Sequence, residues 1–369
     1  MDAFRRLRGM LSVIAAVSFL AGCAASGSSP LQQGAAQQSI ARQGAVGGAF
    51  AGTPAQLRAR GLPEPSLAAQ RALRSAETRH HTSWMSPGAA KSSTLLYVAD
   101  EDSNDVYVYE YPSGKLVGTL TGFNAPSGIC SNKAGDVFIL NGGGSTVEVY
   151  AHGATSPLRT LDLPGYPELN CSVDPKTGNL AVPSLDATCG DCIAIFQNAQ
   201  GTPTLYTPSG QEGIPGCGYD DDGNLFCDAF ASGTRKFELF ELARGSSTLT
   251  QVSVDASSID PGPLQWDGEY LAVGSGSSGT IYQIQLSGTT GSVEGQTQLD
   301  GTGWVWQFWI PDTQGTKKKP QATTLIAPTY AGSAGAEAAY WKYPAGGNPT
   351  KAITGFQQPD GAALSKGKS

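Results

Sequence analysis

Leu96-Tyr97-Val98-Ala99-Asp100 decides the fold, because five similar apolar runs follow it at regular intervals. They are Val137–Leu140, Leu180–Pro183, Leu225–Asp228, Tyr270–Val273 and Thr324–Ala327. The first residues of successive runs are 41, 43, 45, 45 and 54 residues apart. Short apolar runs bounded by turn residues are typical of buried strands, and a period of about 40–50 residues indicates a repeat architecture.

A second strand follows each apolar run. Its copies alternate between side chains of different polarity, which indicates strands with two unlike faces. The copies are Val106–Tyr109, Val147–Tyr150, Ile193–Phe196, Phe237–Phe240, Ile281–Ile284 and Ala339–Lys342. With a short strand before each apolar run and an outer strand after each alternating one, every repeat has four strands. We therefore predict an all-β domain at residues 93–369, folded as a six-bladed β-propeller.

The two ends of the repeat region are out of step with each other. The region opens on the apolar strand at Leu95, whereas it ends on a short first strand at Gly361-Ala362-Ala363-Leu364. We expect this last strand to complete the first blade by pairing beside Leu95–Asp100. A ring closed in this way has no open sheet edge to invite aggregation.

The turns between the first two strands of a repeat share a sequence pattern. Pro126-Ser127-Gly128 precedes Asn132–Asp136, and the second part recurs at Asp174–Asn179 and Asp220–Asn224. On these residues the chain resembles the NHL, SMP-30 and streptogramin-lyase group of six-bladed propellers. The resemblance implies the fold. It also implies two candidate chemistries, a lyase that uses a histidine with a metal and a lactonase that uses carboxylates and asparagine around a divalent ion.

Three polar residues end apolar strands near the face where such an ion would lie. Asp100, Asn141 and Asp228 offer oxygen ligands that suit Ca²⁺, but the other three apolar strands end without carboxylates. The single histidine of the domain, His152, is predicted in a solvated turn on the outer rim. We therefore assign no catalytic residue, no metal ligand and no cofactor beyond a possible Ca²⁺. A divalent-metal-dependent hydrolase or lyase is the alternative function.

Aromatic residues provide a second indication of function. Trp304, Trp306, Phe308 and Trp309 crowd the entry to the fifth inner strand, and they either pack between blades or form a recognition surface. Alternation puts Trp304, Trp306 and Phe308 on one face and Trp309 on the other. Tyr166 and Tyr330 are predicted in loops of the central face. The predicted ligand-binding residues of the central face are Asp100, Asn141, Tyr166, Trp304, Trp306 and Tyr330. The leading prediction is a monomeric, non-catalytic binding or scaffold module for a protein or glycan.

Six cysteines lie in the repeat region, and an even number in an exported domain predicts disulfides. Cys217 faces Cys227 across the hairpin around Asp221–Gly223, and Cys189 and Cys192 are separated by two residues. Cys130 and Cys171 hold equivalent positions in neighbouring repeats and pair by elimination. A redox role for Cys189-Gly190-Asp191-Cys192 is the less favoured interpretation, because no βαβ pattern surrounds it.

The first residues predict export and lipidation. Arg5, Arg6 and Arg8 precede an apolar run from Met10 to Leu20, as in a secretory signal. Leu20-Ala21-Gly22-Cys23 resembles the lipobox of bacterial lipoproteins. The resemblance implies cleavage before Cys23, lipidation of its thiol and, with Ala24 next, an outer-membrane location. We expect a signal peptide at 1–22, a lipidated flexible linker at 23–92, and the propeller after it.

Charge separates the predicted linker from the predicted domain. Residues 1–92 carry a net charge of +7, and the remainder carries −14. An acidic domain repels phosphate backbones, so nucleic acid is not an expected partner. The expected partners are the membrane, through the lipid anchor, and an unknown protein or glycan.

Overall fold

The computed structural model describes residues 82–167, 170–186, 189–256, 258–275, 278–302, 305–311, 323–329 and 335–367. Over these ranges the regular structure is β-strand, with three short 3₁₀ turns at Ala89–Lys91, Gly142–Gly144 and Gln197–Ala199. Within the same ranges, no helix is long and apolar enough to cross a bilayer. The predicted linker up to residue 81, with Cys23, lies outside the described residues.

The first sheet brings the two ends of the repeat region together. Its strands are β1 (Trp84–Met85), β2 (Thr94–Asp100), β3 (Asp105–Glu110), β4 (Lys115–Leu120) and β25 (Pro359–Lys366), in the order β1-β4-β3-β2-β25. The last strand is antiparallel to β2, with Leu96 opposite Leu364 and Val98 opposite Ala362. Leu95 to Asp100 are fully buried beneath this pairing.

Two further sheets repeat the antiparallel arrangement. One contains β5 (Pro126–Ser131), β6 (Val137–Asn141), β7 (Thr146–Tyr150) and β8 (Arg159–Asp162). The other contains β9 (Tyr166–Pro167), β10 (Ser172–Val173), β11 (Leu180–Asp186), β12 (Gly190–Phe196) and β13 (Thr204–Tyr206). In the first of these sheets, the predicted apolar strand β6 is second in the strand order and the alternating strand β7 is third. In the other sheet, β11 and β12 hold these positions.

The fourth and fifth groups of strands touch at their outer edges. The fourth group is β14 (Gly216–Tyr219), β15 (Leu225–Phe230), β16 (Phe237–Leu242) and β17 (Thr250–Val254). The fifth is β18 (Leu264–Trp266), β19 (Leu271–Ser275), β20 (Thr280–Ser287) and β21 (Thr290–Gln298). A short parallel pairing of β17 with β21, Ser253 opposite Thr290, joins them into one eight-stranded sheet.

The last sheet has three regular strands, β22 (Thr323–Thr329), β23 (Glu337–Tyr343) and β24 (Lys351–Thr354). A single antiparallel bridge between Trp309 and Ile326 lies on its inner side. Phe308 and Trp309 are 2 % and 9 % exposed and belong to different core clusters. These two aromatics therefore pack within the domain, and their side chains face opposite ways, as the alternation predicts.

The turns follow from short polar side chains and glycine. Asp220 Oδ1 accepts hydrogen bonds from the backbone N–H groups of Asp222 and Asn224, while Gly223 has φ +87°. That left-handed value is costly for a residue with a Cβ. Asn132 forms the same turn ahead of β6, with Gly135 at φ +87°. The acidic run at 220–222 is thus a hairpin turn.

The folded domain begins earlier than the predicted boundary at residue 93. Trp84 pairs with Thr119 and Met85 with Gly118, so β1 covers the outer edge of β4. A Cβ on Gly118 would lie 2.2 Å from the Met85 sulfur, which shows how closely the two strands pack. Composition did not predict this strand, because two apolar residues in a polar stretch carry no periodic signal.

The inner strands of different sheets are joined by buried side chains. Gln307 donates from Nε2 to the carbonyl of Ile129 (2.6 Å), and its Oε1 accepts from the N–H groups of Ile129 (3.1 Å) and Ala362 (2.9 Å). Gln265 makes the same paired contact with the backbone of Ile310. A carboxamide that bonds both N–H and C=O of one residue replaces a strand neighbour and satisfies buried backbone groups.

Candidate functional site

Asp100 is the first of the predicted oxygen ligands, and its side chain is hydrogen-bonded to the backbone. It is fully buried at the end of β2. Oδ2 accepts the N–H of Gln357 at 2.8 Å, and Oδ1 accepts that of Gln358 at 2.7 Å. Burial raises the pKa of this carboxyl above its ordinary value, and the backbone donors partly offset the rise. The carboxylate therefore fastens β2 to the loop that leads into β25.

Asp228 has the same role, although it lies within β15 (Leu225–Phe230) and not at the strand end that the sequence predicted. Its side chain is fully buried, with Oδ1 accepting the N–H of Gly216 (3.1 Å) and Oδ2 accepting the N–H of Gly262 (2.7 Å). Burial raises the pKa of this carboxyl well above its ordinary value, against the lowering effect of the backbone hydrogen bonds. Gly216 opens the neighbouring strand β14, and Gly262 precedes β18, so one carboxylate connects two groups of strands.

Asn141, at the end of β6, also holds a loop. Its Oδ1 accepts the N–H of Asn124 at 2.7 Å, and its Nδ2 donates to Thr146 Oγ1 at 3.3 Å. The three predicted oxygen ligands thus each accept hydrogen bonds from backbone N–H groups. Because these oxygens are already used in this way, Asp100, Asn141 and Asp228 do not fit a shared Ca²⁺ site. Within the described ranges, no three His, Cys, Asp or Glu side chains are grouped so that they could hold a metal ion.

Tyr166 lies on the surface and is 55 % exposed. Its segment, predicted as a loop, forms the short strand β9, in which Tyr166 pairs with Leu185 and Pro167 with Ser184 of β11. Ser184 Oγ donates to the Tyr166 carbonyl at 3.3 Å. The backbone beneath this ring is therefore fixed, and the ring itself is presented to solvent.

The turn at Gly142–Gly144 lies beside β9. Its Gly143 N–H donates to the carbonyl of Asn124 at 2.8 Å, and the Asn124 side chain is exposed next to it. A Cβ on Gly143 would lie 2.4 Å from Asn124 Cγ, so a larger residue there would displace this exposed side chain. We call Asn124, Gly143, Gly144 and Tyr166 the Tyr166 patch. It combines the exposed ring of Tyr166, the exposed carboxamide of Asn124 and the exposed backbone of Gly143 and Gly144.

Of the other predicted ligand residues that the structure describes, Asn141 contacts this patch through its hydrogen bond with the Asn124 N–H, whereas Asp100 is bonded to the loop before β25. Trp304 and Tyr330 lie outside the described residues. Trp306 is partly buried and belongs to the segment that also carries Gln307. The sequence reasoning missed Asn124, whose role depends on the Gly142–Gly144 turn, and Gln307, whose polar side chain within an aromatic run was the available signal.

His152 lies in the turn after β7, as predicted, but it is partly buried rather than solvated. Its Nε2 is 2.9 Å from the carbonyl of Ser92, and its Nδ1 is 2.8 Å from Ser365 Oγ. It therefore bonds to the segment before β2 and to the end of β25, which lie next to each other because the Gly367 N–H donates to the Ser93 carbonyl. Burial lowers the pKa of the imidazole, and the hydrogen bond to Ser92 partly offsets this.

The structure contains the three expected disulfides, Cys130–Cys171, Cys189–Cys192 and Cys217–Cys227. Cys217 lies directly opposite Cys227 in the β14–β15 register. Cys130–Cys171 joins β5 to the segment before β10, which links the inner strands of two sheets.

Comparison with known proteins identifies the fold alone. No family model matches the sequence, and no curated protein matches it. A structure of a nidogen/laminin complex superposes with a TM-score of 0.57 at 10 % identity, covering 75 % of this chain and 100 % of that one. Hydrazine synthase from Kuenenia stuttgartiensis gives 0.52 at 11 % identity, with 71 % and 83 % covered.

A protein of unknown function from Bacteroides caccae gives a TM-score of 0.53 at 15 % identity, covering 74 % of this chain and 99 % of that one. The nidogen/laminin and hydrazine synthase structures are β-propeller-like. The domain is therefore an all-β, β-propeller-like module. Identities this low transfer no activity, because propellers support many unrelated functions.

Proposed function

We propose that this chain is a lipid-anchored protein of the cell envelope whose propeller binds its ligand without transforming it. The proposal rests on the hydrogen bonds that the three predicted oxygen ligands make. Asp100, Asp228 and Asn141, the residues best placed for metal chemistry, are hydrogen-bonded to backbone N–H groups. Side chains that hold the scaffold in this way are not available to a substrate or an ion.

The proposed scaffold is a closed ring of six blades. Six antiparallel groups of strands follow one another along the chain, and β25 pairs with β2 so that the first group has an inner strand from the far end. The disulfide Cys130–Cys171 and the amide of Gln307 connect inner strands of different groups. A ring of this kind is rigid, and rigid scaffolds present loops for recognition.

The ligand we propose for the Tyr166 patch is a saccharide. A half-exposed tyrosine ring offers a flat apolar surface against which the C–H face of a sugar can stack, and it loses little side-chain entropy on binding. Asn124 adds a donor and an acceptor, which match sugar hydroxyls. Gly143 and Gly144 leave the backbone accessible because they have no side chains.

The proposed location follows from the N-terminal residues. Acyl groups on Cys23 anchor the protein, since each buried CH₂ contributes about 0.8 kcal/mol to membrane binding. The Ala-, Gly- and Gln-rich segment after Cys23 serves as a tether. The propeller is then held near envelope glycans at high local concentration.

A glycan array tests the binding proposal, using the full chain in detergent. We expect binding to a restricted set of glycans and a loss of about tenfold or more in affinity for Tyr166→Ala, in line with removal of a central contact residue. Leu205→Ala is the matched control, because Leu205 is a 43 % exposed apolar side chain on β13. Binding of no glycan, or equal weakening by both substitutions, would contradict the proposal.

A further inference from the structure

The disulfide Cys189–Cys192 lies at the tip of the β11–β12 hairpin. Asp186 pairs with Gly190 at the end of this hairpin, and Ser184 pairs with Cys192. The same strand β11 pairs with β9 on its other side, through Leu185 and Tyr166. The disulfide therefore closes a short loop on the β12 side of the hairpin, at the end of the strand pair that holds the backbone of Tyr166.

The three disulfides differ sharply in exposure. Cys130 and Cys171 are 1 % and 4 % exposed, and Cys217 and Cys227 are 0 % and 1 % exposed. In the hairpin disulfide, Cys192 is fully buried, but Cys189 is only partly buried. Cys189 is thus the most exposed of these six cysteines, and it is the one that we expect a thiolate from solution to reach. Access of this kind separates exchangeable disulfides from structural ones.

Asp191, between the two cysteines, extends the effect of the disulfide to another loop. Its Oδ2 accepts the N–H of Gly213 at 2.6 Å. Gly213 belongs to the segment before β14, and its carbonyl accepts the N–H of Phe230 in β15. Asp191 pairs with Leu185 of β11 and lies between the two bonded cysteines, so the disulfide helps to hold the residue that anchors the next group of strands.

We propose that Cys189–Cys192 is a thiol–disulfide exchange site for a dithiol, and that its redox state controls the contact between Asp191 and Gly213. One thiolate of the dithiol attacks Cys189 Sγ. The Cys189–Cys192 bond breaks, and its electron pair leaves on Cys192 Sγ, which takes a proton from water. The second thiolate of the reductant then attacks the reductant sulfur of the mixed disulfide, and Cys189 leaves as a thiolate that takes a second proton from water. The protein disulfide gains two electrons and two protons, and the dithiol becomes a disulfide.

The consequence of reduction is local. Without the disulfide, the end of β12 at Gly190-Asp191 is held by its pairing with Asp186 and Leu185 alone, and the hydrogen bond to Gly213 is lost for part of the time. We expect the rest of the β11–β12 ladder to remain, because its hydrogen bonds lie further along the two strands. The inference does not rest on the binding proposal, since neither the chemistry nor its readout involves a ligand.

The first test is graded reduction of the full chain with dithiothreitol under native conditions, followed by alkylation and peptide mapping. We expect the first two alkylated residues to be Cys189 and Cys192, while the other four remain disulfide-bonded until the chain unfolds. Reduction of all three disulfides at the same dithiothreitol concentration, or of another pair first, would overturn the exchange site.

The second test measures hydrogen exchange of the peptide that contains Gly213. Reduction is expected to speed its exchange about tenfold or more, since a hydrogen bond to a carboxylate is lost, while β6 exchanges as before. Cys189→Ser/Cys192→Ser should exchange like the reduced protein, with or without dithiothreitol. Asp191→Asn keeps the disulfide and should weaken the same contact without reduction. Unchanged exchange at Gly213 on reduction would overturn the proposed control of that contact.

Discussion

Asp100 Oδ1 accepts a hydrogen bond of 2.7 Å from the backbone N–H of Gln358, a residue 258 positions later in the chain. The second oxygen of the same carboxylate accepts the N–H of Gln357. A carboxylate that accepts hydrogen bonds from two backbone N–H groups holds distant segments of the chain together. This relationship explains why a residue with the chemistry of a metal ligand is buried in a scaffold.

Replacing Asp100 tests its role as a fastening. Asp100→Ala leaves two N–H groups without their acceptor and should lower the free energy of unfolding by about 3 kcal/mol. Asp100→Asn keeps one accepting oxygen and should cost roughly half as much. Urea denaturation of the full chain measures both. Asp162→Asn, at an exposed position on β8, is the control and should change little; a neutral Asp100→Ala would show that the carboxylate does not hold the loop.

Removing the C-terminal strand tests the proposed ring closure. Deletion of residues 357–369 takes away β25 and the donors to Asp100, and it exposes the fully buried edge of β2. We expect aggregation or a large drop in melting temperature, because an unpaired apolar edge recruits other chains. Deleting residues 368–369 alone is the control. A truncated protein that stays monomeric and melts like the full chain would contradict the closure.

The stability of the domain should fall in mild acid because of His152. Burial lowers the pKa of its imidazole in the folded state, so the unfolded chain binds the proton more readily. The free energy of unfolding then decreases as the pH falls through about 6.5, the ordinary histidine value, and is unaffected at higher pH. Tyr97, whose OH accepts the N–H of Gly153, stays neutral because burial raises its pKa to about 12.

Denaturation at several pH values between 5 and 8, for the wild type and His152→Gln, isolates this contribution. Asp100 and Asp228, whose pKa values are raised, contribute with the opposite sign, but they do so equally in both proteins. The difference between the two curves should therefore show the wild type losing stability relative to the variant toward pH 5. A difference that does not change with pH would contradict the role assigned to His152.

The sequence predicted the repeating elements well, because they depend on local pattern. Five of the six apolar runs fall inside strands. The remaining run, Tyr270–Val273, begins one residue before β19 (Leu271–Ser275). The facing of Cys217 and Cys227 followed from the length of one hairpin turn. Such features need only the period of a strand and the geometry of a turn.

Sequence patterns did not predict contacts between a side chain and a distant part of the chain. An Asp-Gly pair such as Asp267-Gly268 is typical of a two-residue hairpin turn, yet Trp266 pairs with Leu271, so the turn has four residues. Asp267 Oδ1 accepts the N–H groups of Glu269 and Tyr270, and Oδ2 accepts the hydroxyl of Tyr343 at 2.6 Å. A partner 76 residues away is invisible to local turn chemistry.

Contacts with distant residues also explain why the sequence did not decide the roles of the candidate-site residues. Asp100 and Asn141 were correctly placed at strand ends, but their oxygens could not be assigned to metal or to backbone without the loops that approach them. Tyr166 was predicted as a surface residue of a loop, and its exposure agrees with that, whereas its pairing with β11 depends on tertiary contacts.

The most direct test of the account is the thermal melting of the full chain in excess EDTA and then in Ca²⁺, Mg²⁺, Mn²⁺ or Zn²⁺, for the wild type and Asp100→Asn. A metal bound at 100 times its Kd would add about 2.7 kcal/mol of stability and a clear rise in melting temperature. If the strand-end carboxylates are fastenings, the wild type melts at the same temperature in EDTA and in each metal. A metal-dependent rise in the wild type that Asp100→Asn abolishes would contradict the account and favour a metal-dependent hydrolase or lyase.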